Sequence, residues 1–135
     1  MKRVTLILAD DNPAILSHVK HLVADECDIL ATASNGEMAL REAERLQPDV
    51  LVLDISMGTL TGIEVARCLQ TTGCTCRIVF LTVHKDPYLV QAALDAGGLA
   101  YVVKSCVVSD LLPAIRAVLE GKLFLSAPLR NQPPP

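Results

Sequence analysis

Five short apolar runs, separated by stretches of helical periodicity, constrain this chain more than any other feature. The runs are Val4 to Ala9, Ile29 to Ala33, Val50 to Leu53, Ile78 to Leu81 and Tyr101 to Val103. They are rich in β-branched and large aliphatic residues, which suits strands buried on both faces. Between them apolar residues recur three and four apart, as at Ile15, Val19 and Leu22, or Leu89, Ala93 and Leu94, the spacing of a helix with one buried stripe.

Start and stop signals agree with this division. Asn12-Pro13 and Asp86-Pro87 each set a capping side chain before a proline suited to the first helical position, and Ser109 is expected to cap the last helix. Pro48 and Gly97 close the second and fourth helical segments, and Pro113 falls early enough in the fifth to tighten its first turn rather than break it. Five strands alternating with five helices require crossover connections, so the pattern predicts an open, doubly wound α/β domain with a five-stranded parallel sheet.

The length fits one such domain. A chain of 135 residues buries roughly two thirds of its unfolded surface. No apolar run approaches the ~18 residues of a membrane span, and the start carries no small-residue cleavage pattern, so a cytoplasmic protein is expected. The net charge is -3, with 12 basic residues scattered along the chain, which argues against a nucleic-acid surface on this segment. Five cysteines form an odd set without repeated metal spacing, and free thiols are the default reading. Cys74-Thr75-Cys76 suggests a metal or redox site only if something else joins it. Four of the last eight residues are proline, so residues 1–125 are read as the domain and 126–135 as a proline-rich linker or disordered tail, with order fading after about Ser126.

In an open parallel sheet the carboxyl ends of the strands share one edge, where ligands bind. The first run ends at Asp10-Asp11, the third at Asp54, the fourth at Thr82 and the fifth at Lys104. Any one strand ends in a polar residue simply because it meets water; the set is harder to explain that way. Converging carboxylates repel one another unless a cation or Lys104 neutralises them. Oxygen donors without His or Cys favour Mg²⁺, with Mn²⁺ as a substitute, and Mg²⁺ leaves room for a phosphate oxygen. A carboxylate, a hard cation, a lysine and a hydroxyl are the parts that phosphoryl transfer needs.

The segments "ADDN" (9–12), "VLVLDISMGTLTG" (50–62), "IVFLTVH" (78–84) and "AYVVKS" (100–105), in this order and spacing, resemble the receiver domain of two-component response regulators. The likeness extends over residues 3 to 125. It implies a flavodoxin-like sheet of order 2-1-3-4-5. It also implies that Asp54 is the phosphoacceptor, that Asp11 is the principal acidic metal ligand with Asp10 supporting it, and that the Ser56 backbone carbonyl completes the protein share of the Mg²⁺ shell. Thr82 and Lys104 then bind the phosphoryl group, and Tyr101 is the switch aromatic. The implied partner is a sensor histidine kinase, and the domain catalyses its own phosphorylation and dephosphorylation. Drawing Thr82 inward makes room for the Tyr101 ring, a shift that takes roughly 5 kcal/mol of differential binding. A half-buried strand residue is the plainer reading of Tyr101.

The chain departs from the commonest form of that family at several positions. Gly58 stands where proline is usual, Val83 where a small residue is more frequent, and Gly97-Gly98 with Ala100 replace a different order of small residues. Ser105 replaces a proline that often follows through a cis bond; a non-proline cis bond costs about 2.5–4 kcal/mol, so a trans Lys104–Ser105 bond is expected. Ser56 and His84 stand two residues beyond Asp54 and Thr82 and are expected to tune hydrolysis, His84 beside the path of the attacking water, although a solvated loop histidine explains it equally. His18 and His21 are better read as part of a surface helix than as a metal site.

The tail "LEGKLFLSAPLRNQPPP" resembles receivers that continue into a LuxR-type helix-turn-helix domain. The resemblance therefore implies transcriptional control, DNA binding through a C-terminal domain absent from this segment, and phosphorylation-dependent homodimerisation. The alternatives are a stand-alone receiver, a pseudo-receiver acting as an interaction module, and an Mg²⁺-dependent phosphatase. The last needs a second carboxylate two residues after the nucleophile, where this chain has Ser56.

Overall fold

The computed structural model describes residues 3–130. Six parallel strands form one sheet: β1 (Val4–Ala9), β2 (Cys27–Ala33), β3 (Val50–Leu53), β4 (Arg77–Thr82), β5 (Gly98–Val103) and β6 (Phe124–Leu125), in the order β2-β1-β3-β4-β5-β6. The helices are α1 (Pro13–Val23), α2 (Gly36–Leu46), α3 (Gly62–Thr72), α4 (Pro87–Asp95), α5 (Val107–Leu119) and the single turn α6 (Ala127–Arg130). The doubly wound order of the first five strands is the one expected. The sheet has six strands rather than five, because Phe124 and Leu125 pair with Ala100 and Tyr101.

Side-chain alternation along each strand divides the interior into two cores. Ile7, Ala9, Leu51, Leu53 and Phe80 face α2, α3 and α4, whereas Leu6, Leu8, Val50, Val52 and Val79 face α1 and α5. These strands are apolar at consecutive positions because both faces are covered.

Local chemistry sets the helix ends close to where the sequence indicates. Asn12 Oδ1 accepts from the Ala14 N–H at 2.9 Å, and Asp86 Oδ1 from the Tyr88 N–H at 2.8 Å, each ahead of a proline in the first turn. Helix α2 ends at Gln47, which is left-handed at φ 47°, just before Pro48. Helix α5 begins at Val107, earlier than Ser109 suggests; a 3-10 turn over Lys104–Cys106 feeds it, and the Ser109 hydroxyl donates to the Cys106 carbonyl instead of capping. Pro113 lies inside this helix. Among the described residues no peptide bond is cis, so Lys104–Ser105 is trans, as expected.

The segment beyond residue 125 is seated on the domain through Arg130. Ser126 is buried; its N–H donates to the Tyr101 carbonyl at 3.1 Å and its hydroxyl accepts from the Val103 N–H at 3.1 Å. Leu129 packs into the core on the α2–α4 side of the sheet. The final prolines, 133 to 135, lie outside the described residues.

Candidate functional site at the carboxyl edge of the sheet

Strands β1, β3, β4 and β5 deliver Asp10, Asp54, Thr82 and Lys104 to one edge. Asp10 and Asp54 are buried and follow β1 and β3 directly, Thr82 is the last residue of β4 and fully buried, and Asp11 is exposed. Carboxylate oxygens of Asp10, Asp11 and Asp54 all lie within 4.8 Å of one another. Lys104 Nζ is 2.8 Å from Asp10 Oδ2 and 3.2 Å from Asp54 Oδ2, so a single ammonium spans the two buried carboxylates.

The two oxygens of Asp10 do different work. Oδ1 accepts from the Asn12 N–H at 2.9 Å and shapes the loop that starts α1. Oδ2 touches the ammonium but makes no aligned hydrogen bond among the described residues. A buried carboxylate oxygen left with one ion-pair contact retains capacity for a cation, and the oxygen-only donor set suits a hard divalent ion.

Electrostatics follow from burial. Desolvation pushes the Asp54 carboxyl above its ordinary range, Asp10 adds to the rise, and Lys104 opposes it. Burial works against the Lys104 charge, but Asp10 and Asp54 outweigh it and raise the amine overall. The ammonium is therefore firmly held, and its removal would leave two buried carboxylates facing each other.

The loop after β3 is fixed by two glycines. Gly58 sits at φ 86°, a left-handed conformation that a side chain disfavours. Gly62 opens α3, and its N–H donates to the Ile55 carbonyl at 2.9 Å. A Cβ on Gly62 would collide with the Asp54 carbonyl oxygen. This close approach, which holds α3 against the residue after β3, is not visible in any sequence periodicity.

Ser56 and His84 meet: Ser56 Oγ and His84 Nε2 are 2.7 Å apart. The neighbouring Tyr101 is fully buried, its ring 6.3 Å from that of Phe80, and its hydroxyl donates to the His84 carbonyl at 2.8 Å. Burial, then Asp54 and Asp86, push the Tyr101 phenol above its ordinary value, so it remains a donor. The His84 N–H makes a long 3.4 Å contact to Thr82 Oγ1. His84 thus links the loop after Asp54, the end of β4 and the Tyr101 ring. Val83 projects outward and is well exposed. His18 and His21 lie exposed on α1, with His21 Nδ1 3.1 Å from the Ser17 carbonyl, consistent with a surface role.

Residues 6–116 match the family model of the response regulator receiver domain. The chain belongs to the response regulator receiver family. It is 34% identical over 128 residues to the transcriptional regulatory protein YvfU of Bacillus subtilis, covering 93% of this chain and 64% of that protein. It is also 34% identical over 127 residues to the nitrate/nitrite response regulator protein NarL of Escherichia coli, covering 93% and 59%. The chain thus spans about three fifths of the length of these relatives. A solved two-component response regulator of the LuxR family from an Aurantimonas species superposes with a TM-score of 0.89 at 27% identity, covering 95% of this chain and 93% of that one. The isolated REC domain of RcsB from Salmonella enterica serovar Typhimurium shares the fold, with a TM-score of 0.85 at 22% identity and coverage of 95% and 96%. Receiver domains typically bind Mg²⁺ at an acidic pocket and are generally phosphorylated by histidine kinases. No helix among the described residues is long and apolar enough to cross a membrane.

Proposed function

We propose that Asp54 accepts a phosphoryl group from a phosphohistidine of a sensor histidine kinase, and that the modification switches an output which, by analogy with the transcriptional regulators above, is control of transcription. The observation that carries this reading is the double contact of Lys104 Nζ with Asp10 and Asp54, at 2.8 and 3.2 Å, beside the exposed Asp11.

In the transfer, an Asp54 carboxylate oxygen attacks phosphorus, the phosphorus–nitrogen bond breaks, and the imidazole leaves with the electron pair. Lys104 offsets the negative charge that the acyl phosphate brings, and the Thr82 hydroxyl donates to a phosphoryl oxygen. Asp10, Asp11, Asp54 and the Ser56 carbonyl would hold Mg²⁺, or Mn²⁺ in its place, which neutralises charge between the carboxylates and the phosphate. Water later cleaves the acyl phosphate, and Ser56 and His84 tune that rate. Movement of Thr82 toward the phosphoryl group displaces its neighbours and shifts Tyr101, converting local charge into a change of surface.

In this reading residues 1–125 are the cytoplasmic receiver. The segment from 126 to 135 leads toward a C-terminal DNA-binding module, its first part resting on β5. The receiver itself binds no nucleic acid and dimerises when phosphorylated. Incubation with Mg²⁺ and acetyl phosphate, followed by intact mass, tests the acceptor assignment. Gain of one phosphoryl group that disappears in Asp54→Ala supports it; no gain, or a gain that survives the substitution, overturns it. Sedimentation with and without beryllium fluoride tests dimerisation.

A further inference from the structure

The opposite edge of the sheet carries a feature that the phosphoryl chemistry does not use. Cys74 and Cys76 bracket Thr75 in the loop between α3 and β4, and their Sγ atoms are 3.4 Å apart. Both side chains are partly exposed and rest against the core.

The loop is pinned at both ends. Gly73, left-handed at φ 75°, terminates α3, and the Cys74 N–H donates to the Leu69 carbonyl at 3.0 Å. The Arg77 N–H donates to the Asp49 carbonyl at 3.0 Å, where β4 begins. Cys74 Sγ also lies 3.7 Å from Gln47 Oε1. With the backbone fixed on either side, the sulfurs are held as neighbours rather than meeting by chance.

A thiol pair of this kind could serve a soft metal or a disulfide. Among the described residues the sole group of three or more potential His, Cys or acidic ligands is the aspartate cluster at the other edge, so no third such ligand joins the sulfurs. A disulfide needs only the two sulfurs, brought to about 2.0 Å.

We propose that Cys74 and Cys76 form a reversible dithiol–disulfide site that is oxidised by low-molecular-weight disulfides. The Cys74 thiolate attacks one sulfur of the oxidant, breaking its S–S bond and releasing one thiolate. Cys76 then loses its proton to solvent and attacks Cys74 Sγ in the mixed disulfide, expelling the second thiolate. The balance is one protein dithiol and one disulfide giving one protein disulfide and two small thiols. The order of steps follows from burial: desolvation, together with the neighbouring Cys74, pushes the Cys76 thiol up to about 12, so Cys74 leads. The closed ring spans only three residues, so it constrains the unfolded chain little and remains reducible.

The test treats the fully reduced chain with oxidised glutathione, alkylates the remaining thiols and measures intact mass. The expected product has lost two of its five alkylatable thiols, carries no glutathione, and reverts with dithiothreitol. Cys74→Ser should abolish it, Cys76→Ser should stop at a glutathione adduct on Cys74, and Cys68→Ser should leave it unchanged. An internal disulfide that persists in Cys76→Ser, or adducts that never resolve in the parent, overturns the site. Stoichiometric zinc uptake that blocks oxidation and is lost in both serine variants at 74 and 76 would reassign the pair to metal. Circular dichroism of each variant confirms that it folds.

Discussion

The Ser56 hydroxyl and the His84 imidazole, 28 residues apart, are joined by a 2.7 Å hydrogen bond between the loop after β3 and the loop after β4. β3 and β4 are neighbouring parallel strands, so the loops that follow them lie side by side, with Ser56 three residues beyond Leu53 and His84 two beyond Thr82.

If the pair governs access of water, Ser56→Ala and His84→Ala should change the dephosphorylation rate in the same direction, by a few-fold each. The double variant should match the single ones rather than multiply them, because each substitution removes the same contact. Loss of label from the phosphorylated domain measures this, and unchanged rates in both single variants discard the role.

Asp54→Asn tests the electrostatics. The Asp54 carboxyl titrates higher in the folded domain than its unfolded value of about 3.9. Its contribution to stability is therefore fully present below about pH 3.9 and is lost as pH rises through the raised folded value. Asparagine removes that loss. In Mg²⁺-free buffer the variant should gain on the parent as pH rises through the acid range and be the more stable of the two at pH 7. Urea melts at several pH values read the difference, and a gap that does not widen with pH contradicts the account.

Gly62→Ala introduces a methyl where the Asp54 carbonyl already sits. Relief requires shifting α3 or the loop after β3, which should cost about 1–3 kcal/mol and slow phosphorylation by acetyl phosphate. Wild-type stability and rate together would show that the approach is not tight.

Ser126→Ala removes the acceptor of the Val103 N–H, leaving a buried donor unpaired. The expected loss is about 1–3 kcal/mol, with faster exchange of the Val103 amide in particular. Nuclear magnetic resonance resolves that amide, and unchanged protection there excludes the pairing.

Much of the fold was legible because its strands are buried on both faces and its helices carry strong caps. The runs starting at Val4 and Val50 match the strands β1 and β3 end to end. Strand β2 begins earlier than the apolar run indicates, at Cys27, where alternating exposure along a sheet margin dilutes the pattern. Strand β6 was hidden because two residues, Phe124 and Leu125, cannot display a period. The α5 start was misplaced because Ser109 offers cap chemistry, while the chain instead enters through a 3-10 turn at Lys104.

At the site, strand ends alone brought Asp10, Asp54, Thr82 and Lys104 to one edge. Contacts between separate loops were not foreseeable in the same way. The Ser56–His84 bond depends on side-chain rotamers, and the Gly62 approach depends on how closely α3 docks. Both are tertiary quantities that leave no periodic trace.

Strand β5 carries Tyr101 on one of its faces and holds Leu125 and Ser126 along its open edge. The aromatic residue proposed as the switch and the residues that open the last described segment are therefore rungs of the same ladder. Any displacement of β5 changes the footing of residues 124 to 126 directly. If Tyr101 moves as proposed, residues 125 to 130 are tilted with it, with no separate relay between them.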